Sequence, residues 1–120
     1  MKSPYTGFNR IIHAFKYSFD GIAATFKSES AFRQDIVVCI IAAILQHFLN
    51  VSTMAHILML FSLGFIIIAE LINTAIETIV DRIGPDQHPL SKKAKDIGSA
   101  IVMITFVFVI LLWVLLILFA

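Results

Sequence analysis

Long apolar runs separated by short charged segments make up most of the chain. Residues 97–120 carry no formal charge, and a helix of that length is about 36 Å long, enough to cross a hydrocarbon core of about 30 Å. Residues 36–80 are too long for one crossing but fit two spans of about 20 residues each. A polar cluster, residues 50–53, falls between the two halves. This stretch therefore predicts a transmembrane hairpin that turns near Asn50.

The first 35 residues show a different pattern, in which apolar side chains recur every three or four positions. This spacing is typical of one face of an amphipathic helix. There is no continuous apolar core of a signal peptide. We expect a helix that lies on the cytoplasmic leaflet of the membrane. Its apolar face would be formed by Phe8, Ile11, Ile12, Phe15, Phe19, Ile22 and Phe26.

The basic residues determine the number of spans and their direction. Of the nine Lys and Arg residues, five lie in residues 1–35 and four in residues 81–96. Three spans place both segments on one side, which the positive-inside rule makes cytoplasmic. The C-terminus is then periplasmic. The sequence predicts an all-α membrane protein with a single domain over 1–120: surface helix and junction 1–35, hairpin 36–80, cytoplasmic loop 81–96 and third span 97–120.

Composition supports this assignment and excludes several classes of protein. Hydrophobic residues make up 59% of the chain and charged residues 14%, whereas soluble domains have roughly 45–50% and about 25%. So small a chain cannot bury this much apolar surface in its own core, so the excess must face lipid. A soluble enzyme, a disordered chain and a nucleic-acid-binding protein are excluded. The single cysteine, Cys39, allows neither an intrachain disulfide nor a zinc site of the usual Cys/His spacing.

Polar side chains interrupt the second arm of the hairpin at helical spacing. Four of them, spaced by three, four and four residues, lie on one face of a helix: Glu70, Asn73, Glu77 and Asp81. If the span starts near Met54, Glu70 lies just inside the inner leaflet and Glu77 at its cytoplasmic boundary. An ionisable group within a span is a functional candidate. Glu70 is expected to accept a proton or bind an ion, and Glu77 and Asp81 suit a cation such as Mg²⁺. Alternatively, the stripe only joins helices by hydrogen bonds.

The loop 81–96 offers groups that suit a charged, water-soluble ligand. Lys95 and Asp96 lie near a predicted helix start, where an anion is favoured. Lys92 and Lys93 are interpreted as positive-inside anchors, and His88 is either a cap or a functional residue. No nucleotide-binding motif of the common kinds is present. The residues by themselves predict a carboxylate site beside a basic loop, suited to a reaction between a lipid head group and a charged soluble molecule.

The chain also resembles the bacterial integral-membrane diacylglycerol kinases, a family that includes undecaprenol kinases. The resemblance rests on Glu70-Leu71-Ile72-Asn73-Thr74-Ala75-Ile76-Glu77, on Val80-Asp81-Arg82-Ile83, and on Ala94-Lys95-Asp96-Ile97-Gly98-Ser99-Ala100. It extends to Thr6-Gly7-Phe8-Asn9-Arg10-Ile11-Ile12 and Ala31-Phe32-Arg33-Gln34, and so covers nearly the whole chain.

This resemblance implies a homotrimer in the inner membrane with active sites between subunits. It implies transfer of the γ-phosphoryl group of Mg-ATP to diacylglycerol, giving phosphatidic acid. Glu70 is implied to be the general base, Asn73 to orient the phosphoryl group or Glu70, and Glu29 and Glu77 to hold Mg²⁺. The residues implied to contact ATP are Arg10, Tyr17, Glu29, Glu77, Asp86, Gln87, His88, Lys95 and Asp96. Those implied to contact the lipid are Arg10, Ala14, Ser18, Arg33, Glu70 and Ser99.

Three alternatives follow from the same features. Undecaprenol is the other acceptor known in this family, although residues 7–10 and 32–34 look more like the diacylglycerol branch. Phe19 and Asp20 depart from the pattern of close members, which bears on lipid preference more than on catalysis. A small proton- or cation-coupled transporter would use Glu70 as its coupling carboxylate. A non-catalytic membrane subunit would use Glu70 only to hold helices together.

Overall fold

The structure, a computed structural model, describes residues 4–120 and contains four α-helices and no strand in that range. The helices are α1 (Gly7–Ser28), α2 (Ser30–His47), α3 (Thr53–Ile83) and α4 (Pro89–Phe119). Lys2, one of the basic residues on which the orientation depends, lies outside the described residues. Within 4–120, three helices are long and apolar enough to cross a membrane, namely α2, α3 and α4. The prediction of three spans is confirmed, and the chain is an integral membrane protein.

One extended residue, Glu29, separates α1 from α2. Its backbone (φ −112°, ψ 108°) ends α1 and begins α2. The last carbonyl groups of a helix lack partners within the helix. Here the guanidinium of Arg33 donates to the carbonyls of Phe26 at 2.7 Å and Lys27 at 3.0 Å. Arg33 therefore caps α1 from the first turn of α2 and fixes the joint that carries Glu29.

The hairpin turns where the sequence predicts. α2 ends at His47, and the hydroxyl of Ser52 caps α3 by accepting from the amide of Ala55 at 3.2 Å. The buried side chain of Gln46 is hydrogen-bonded to His56 across the turn. This contact ties the two arms together at the end of the molecule far from Glu70.

α3 forms the centre of the fold. Both α2 and α4 pack against it and, over the described range, they do not contact each other. The indole N–H of Trp113 donates to the hydroxyl of Ser62 at 2.8 Å and links α4 to α3. The molecule is flat, with extents of 49 × 42 × 22 Å. Most large apolar side chains are exposed, including every member of the apolar face predicted for α1.

The loop between α3 and α4 is shorter than the segment 81–96 predicted from charge. α3 continues to Ile83 and α4 begins at Pro89, so only residues 84–88 lie outside helices. Charge marks where a chain leaves the membrane but does not end a helix. The helix ends at Gly84-Pro85, and Pro89 restarts it because a fixed φ and a missing N–H suit the first helical position. Charge likewise does not delay the start of α2, which begins at Ser30, before the apolar run that starts at residue 36.

Candidate active site

The predicted polar stripe lies on the single helix α3 and passes from buried to exposed toward the loop. Glu70 is only 7% exposed. Asn73 and Glu77 are half-buried, and Asp81 is exposed. This gradient agrees with the predicted passage from hydrocarbon to water. It places Glu70 in an environment from which bulk water is largely excluded.

Glu70 lies at the centre of a group of carboxyl side chains. The side chain of Asp35 on α2 lies beside it, and Glu77 and Glu29 are close enough to interact with it electrostatically. The packing of α1, α2 and α3 thus brings three further acidic residues within electrostatic range of Glu70. Such a group suits proton transfer at Glu70.

Asp35 was missed by the sequence interpretation, which placed it in a solvated junction. The available signal was its position as the last charged residue before the run 36–80. That position puts Asp35 near the membrane boundary, at a depth similar to that of Glu70. Only the packing of α2 on α3 brings the two carboxyl groups into contact.

The side-chain amide of Asn73 donates to Glu77 Oε1 at 3.2 Å. The resemblance implies that it orients a phosphoryl group or Glu70, and this stays a prediction beside the observed contact with Glu77. The Asn73 carbonyl oxygen is buried and has no hydrogen-bond partner. Asn73 therefore restrains Glu77, the carboxylate implied to hold Mg²⁺.

Five of the residues implied to contact ATP meet beside the loop. These five are Asp86, Gln87, His88, Lys95 and Asp96. Together with Asp81, Ser91 and Lys92 they line a polar cavity of about 290 Å³. The Lys95 ammonium is paired with Asp81 at 2.8 Å, and Lys92 with Asp96 at 2.6 Å. The Lys95 ammonium has three N–H donors and its side chain is partly exposed, so it can also bind a phosphate that enters the cavity. His88 caps α4, since its Nδ1 accepts from the amide of Leu90 at 3.0 Å.

Arg10 and Tyr17, also implied to contact ATP, lie elsewhere in a single chain. Both are on α1, which makes no contact with α4 within the described residues. The Tyr17 ring lies 6.4 Å from the ring of His13, which stacks on Tyr5. One chain therefore does not bring its α1 groups to its own loop cavity.

The residues implied to contact the lipid are divided between three places. Ser18 lines an apolar groove of about 550 Å³ between α1 and α3, and its hydroxyl donates to the carbonyl of Ala14 at 2.9 Å. Leu71 and Thr74, which follow Glu70 on α3, line the same groove. Arg33 is engaged in capping α1. Ser99 is exposed on α4, away from that groove.

The donor set suits a nucleotide-bound Mg²⁺ rather than a metal held by protein groups alone. Residues 4–120 contain no cluster of three or more His, Cys, Asp or Glu side chains with the arrangement of a metal cage. Mg²⁺ in nucleotide sites takes one or two carboxylates plus substrate phosphates. Glu29 and Glu77, the residues implied to hold Mg²⁺, both lie within electrostatic range of Glu70, and their carboxylates are oxygen donors of this kind.

Comparison with known proteins identifies the family. The family model described as prokaryotic diacylglycerol kinase matches residues 16–117. The chain belongs to the prokaryotic diacylglycerol kinase family. The resemblance stated from the motifs is confirmed, and the chain is a kinase rather than a transporter or a non-catalytic subunit.

Individual members of the family match over most of their length. The diacylglycerol kinase of Escherichia coli K12 is 41% identical over 113 residues, which cover 94% of this chain and 93% of that protein. That of Haemophilus influenzae is 42% identical over 108 residues, covering 90% and 92%. That of Pseudomonas aeruginosa is 39% identical over 108 residues, covering 90% and 88%. The carboxyl group cluster and the loop cavity both fall within residues 16–117, which the family model matches.

Proposed function

We propose that this kinase transfers the γ-phosphoryl group of Mg-ATP to the hydroxyl of diacylglycerol, giving phosphatidic acid, at the cytoplasmic face of a bacterial inner membrane. The observation that carries the proposal is the buried carboxyl group of Glu70. It lies between Asp35 and the carboxylates of Glu29 and Glu77, next to the groove between α1 and α3. A membrane-embedded lipid brings its hydroxyl to this depth, and the loop cavity faces water.

In the proposed reaction Glu70 accepts the proton of the lipid hydroxyl. The hydroxyl oxygen bonds to the γ-phosphorus while the bond from that phosphorus to the β–γ bridging oxygen breaks, and ADP leaves with that oxygen. Phosphoryl transfer depends mainly on positioning and on neutralising charge. Lys95 contributes to both positioning and charge neutralisation when its ammonium turns from Asp81 to the phosphates. Bound through Glu29 and Glu77, Mg²⁺ would neutralise the phosphate oxygens.

The proposal also includes the orientation of the protein in the membrane and the assembly of its subunits. The amphipathic α1 lies on the cytoplasmic leaflet, its apolar face in the lipid, with the loop on the same side and the C-terminus periplasmic. Three copies form a homotrimer in which α1 of one subunit meets the loop of another. This arrangement is supported by the separation of Arg10 and Tyr17 from Lys95 in one chain. It is also supported by α4, whose one buried residue within the single chain is Gly98.

The acceptor is tested by phosphate transfer in mixed micelles. The purified protein is given γ-labelled Mg-ATP with either diacylglycerol or undecaprenol at equal surface concentration. We expect label in phosphatidic acid and little in undecaprenyl phosphate. Transfer mainly to undecaprenol would contradict diacylglycerol as the acceptor and leave the assignment of the site residues unchanged. The variants Glu29→Gln and Asp96→Asn should both lose transfer, because each is assigned to the Mg-ATP end.

A further inference from the structure

α4 packs tightly against the polar stripe of α3 at Gly98. A side-chain carbon at this position would overlap the Asn73 carbonyl oxygen and lie 3.4 Å from Asn73 Cγ and 3.5 Å from Ile76 Cδ1. The other glycines in the described range, among them Gly21 and Gly64, have nothing within 4 Å of such a carbon. Only at Gly98, among these, does the absence of a side chain decide how two helices fit.

The Asn73 side chain is held on two sides. Its N–H donates to Glu77 at 3.2 Å, while its oxygen is buried against Gly98 without a conventional hydrogen-bond donor. A buried acceptor without a donor costs free energy. The Gly98 Cα–H bond that a side chain would replace points toward this oxygen, the arrangement in which weak Cα–H···O contacts form where helices pack closely. The backbone of α4 therefore fixes which end of the amide points to Glu77.

We propose that Gly98 is a positioning residue for the phosphoryl-transfer site. Its missing side chain lets α4 hold the Asn73 amide with its N–H directed at Glu77, which sets the orientation of that carboxylate. Gly98 acts through Asn73 and touches no substrate. The part of this inference that concerns Mg²⁺ rests on the proposed function, because it assumes that Glu77 is a ligand of the nucleotide-bound metal. The contact between Gly98 and Asn73 does not depend on that assumption.

The test is Gly98→Ala, with Gly64→Ala as the matched control. Both changes place a methyl group in a helix interior, but only the first meets Asn73. Groups that orient metal ligands typically change metal affinity by about 10–100-fold. We expect Gly98→Ala to raise the Mg²⁺ concentration for half-maximal transfer by roughly tenfold or more, with an unchanged KM for diacylglycerol. Gly64→Ala should retain the parental Mg²⁺ dependence.

A second readout does not use activity. The unfolding temperature of the detergent-solubilised protein is measured for Gly98→Ala, Asn73→Ala and the double variant, which forms a double-mutant cycle. We expect Gly98→Ala to lower Tm in the parent and to have almost no effect when Asn73 is alanine, because the space has then been vacated. Equal losses of Tm in both backgrounds would overturn the inference.

The two readouts separate failure of the inference from failure of the proposed function. An active parent with an unchanged Mg²⁺ dependence in Gly98→Ala would overturn the positioning role. A parent that transfers no phosphate to any lipid would overturn the proposed function, and the Tm cycle would still decide whether Gly98 positions Asn73.

Discussion

Glu70 and Asp35 illustrate how one side chain defines the environment of another. The two carboxyl groups lie side by side between α3 and α2. Glu70 belongs to a motif that the family resemblance identifies, whereas Asp35 lies outside those motifs, near the start of α2. In the proposed reaction Asp35 restrains the carboxyl group that accepts the lipid proton. Asp35 should therefore influence the rate without contacting the phosphoryl group.

Replacing Asp35 tests this restraint. A net hydrogen bond contributes about 0.5–1.5 kcal/mol, so Asp35→Ala should lower kcat by up to about tenfold. Asp35→Asn has nearly the same shape and supplies an amide N–H donor toward Glu70, so it should retain most of the activity. Gln34→Ala, at an exposed neighbouring position, is the control. Initial rates at saturating Mg-ATP and lipid give the comparison, and an Asp35→Ala variant with the parental kcat would contradict the restraint.

The sequence predicts the members of the polar stripe but not their partners. Helical spacing is enough to place Glu70, Asn73 and Glu77 on one face, because all three lie on one helix. The contacts of Glu70 with Asp35 and of Asn73 with Gly98 join different helices. They depend on how far one helix is shifted along another, which spacing within a single helix does not determine. The carboxyl group cluster therefore appears only in the folded chain.

At the level of helices, the joint between α1 and α2 depends on one side chain. Arg33 donates to two carbonyls at the end of α1 and so fixes the extended residue Glu29. Family resemblance assigns Arg33 to the lipid site. The observed hydrogen bonds give Arg33 a structural role, because they join the end of α1 to the start of α2.

Arg33→Ala should therefore loosen α1. Loss of these hydrogen bonds should reduce stability by about 1 kcal/mol and increase amide hydrogen exchange in the last turn of α1. Arg33→Lys, which cannot span both carbonyls in the same way, should recover part of the protection. Lys27→Ala is the control for loss of a positive charge. A raised KM for lipid with unchanged exchange would assign Arg33 to the lipid instead.

The hydrogen bond between Trp113 and Ser62 leads to a second prediction about helix packing. Hydrogen bonds between membrane helices contribute about 0.6 kcal/mol on average. Trp113→Phe and Ser62→Ala should each reduce stability, and the double variant should lose less than the sum. Thr105→Ala is a matched control, because that hydroxyl donates at 2.7 Å to Ile101 of its own helix. Strictly additive losses in unfolding by denaturant would show that the two side chains do not interact.

The number of spans follows from the sequence, whereas the ends of the helices follow only partly. The lengths of the apolar runs predict three crossings because the membrane has a fixed thickness. Helices continue beyond the membrane until a local signal stops them. Gly84, Pro85 and Pro89 supply that signal at the loop, so α3 and α4 extend well into the segment first assigned to it.

Considered as one object, the single chain is flat and exposes most of its large apolar side chains. α2 and α4 flank α3 without meeting, and α1 lies apart from the loop cavity. Lipid covers some of the exposed apolar surface. A homotrimer with shared sites would cover more of it and would bring Arg10 and Tyr17 to the Lys95 of another subunit.

Mixing inactive variants tests this arrangement. Arg10→Ala and Lys95→Ala proteins, dissociated and reassembled together, should recover part of the transfer activity, because some sites then combine the Arg10 of one subunit with the Lys95 of another. Lys95→Ala mixed with Asp96→Ala is the control, since both changes affect the same helix start and should not complement. Absence of recovery from the first mixture, with mixed particles verified by differential tagging, would contradict sites shared between α1 and the loop.

The central claim is that Glu70 accepts the lipid proton in phosphoryl transfer, and Glu70→Gln tests it most directly. The amide has nearly the same shape and can still hydrogen-bond to Asp35, so the helices should pack as before. A positioned general base contributes about 10²–10⁴-fold. We predict that Glu70→Gln forms particles of parental size and Tm and transfers phosphate to diacylglycerol at least about a hundredfold more slowly. Transfer at close to the parental rate would contradict the claim.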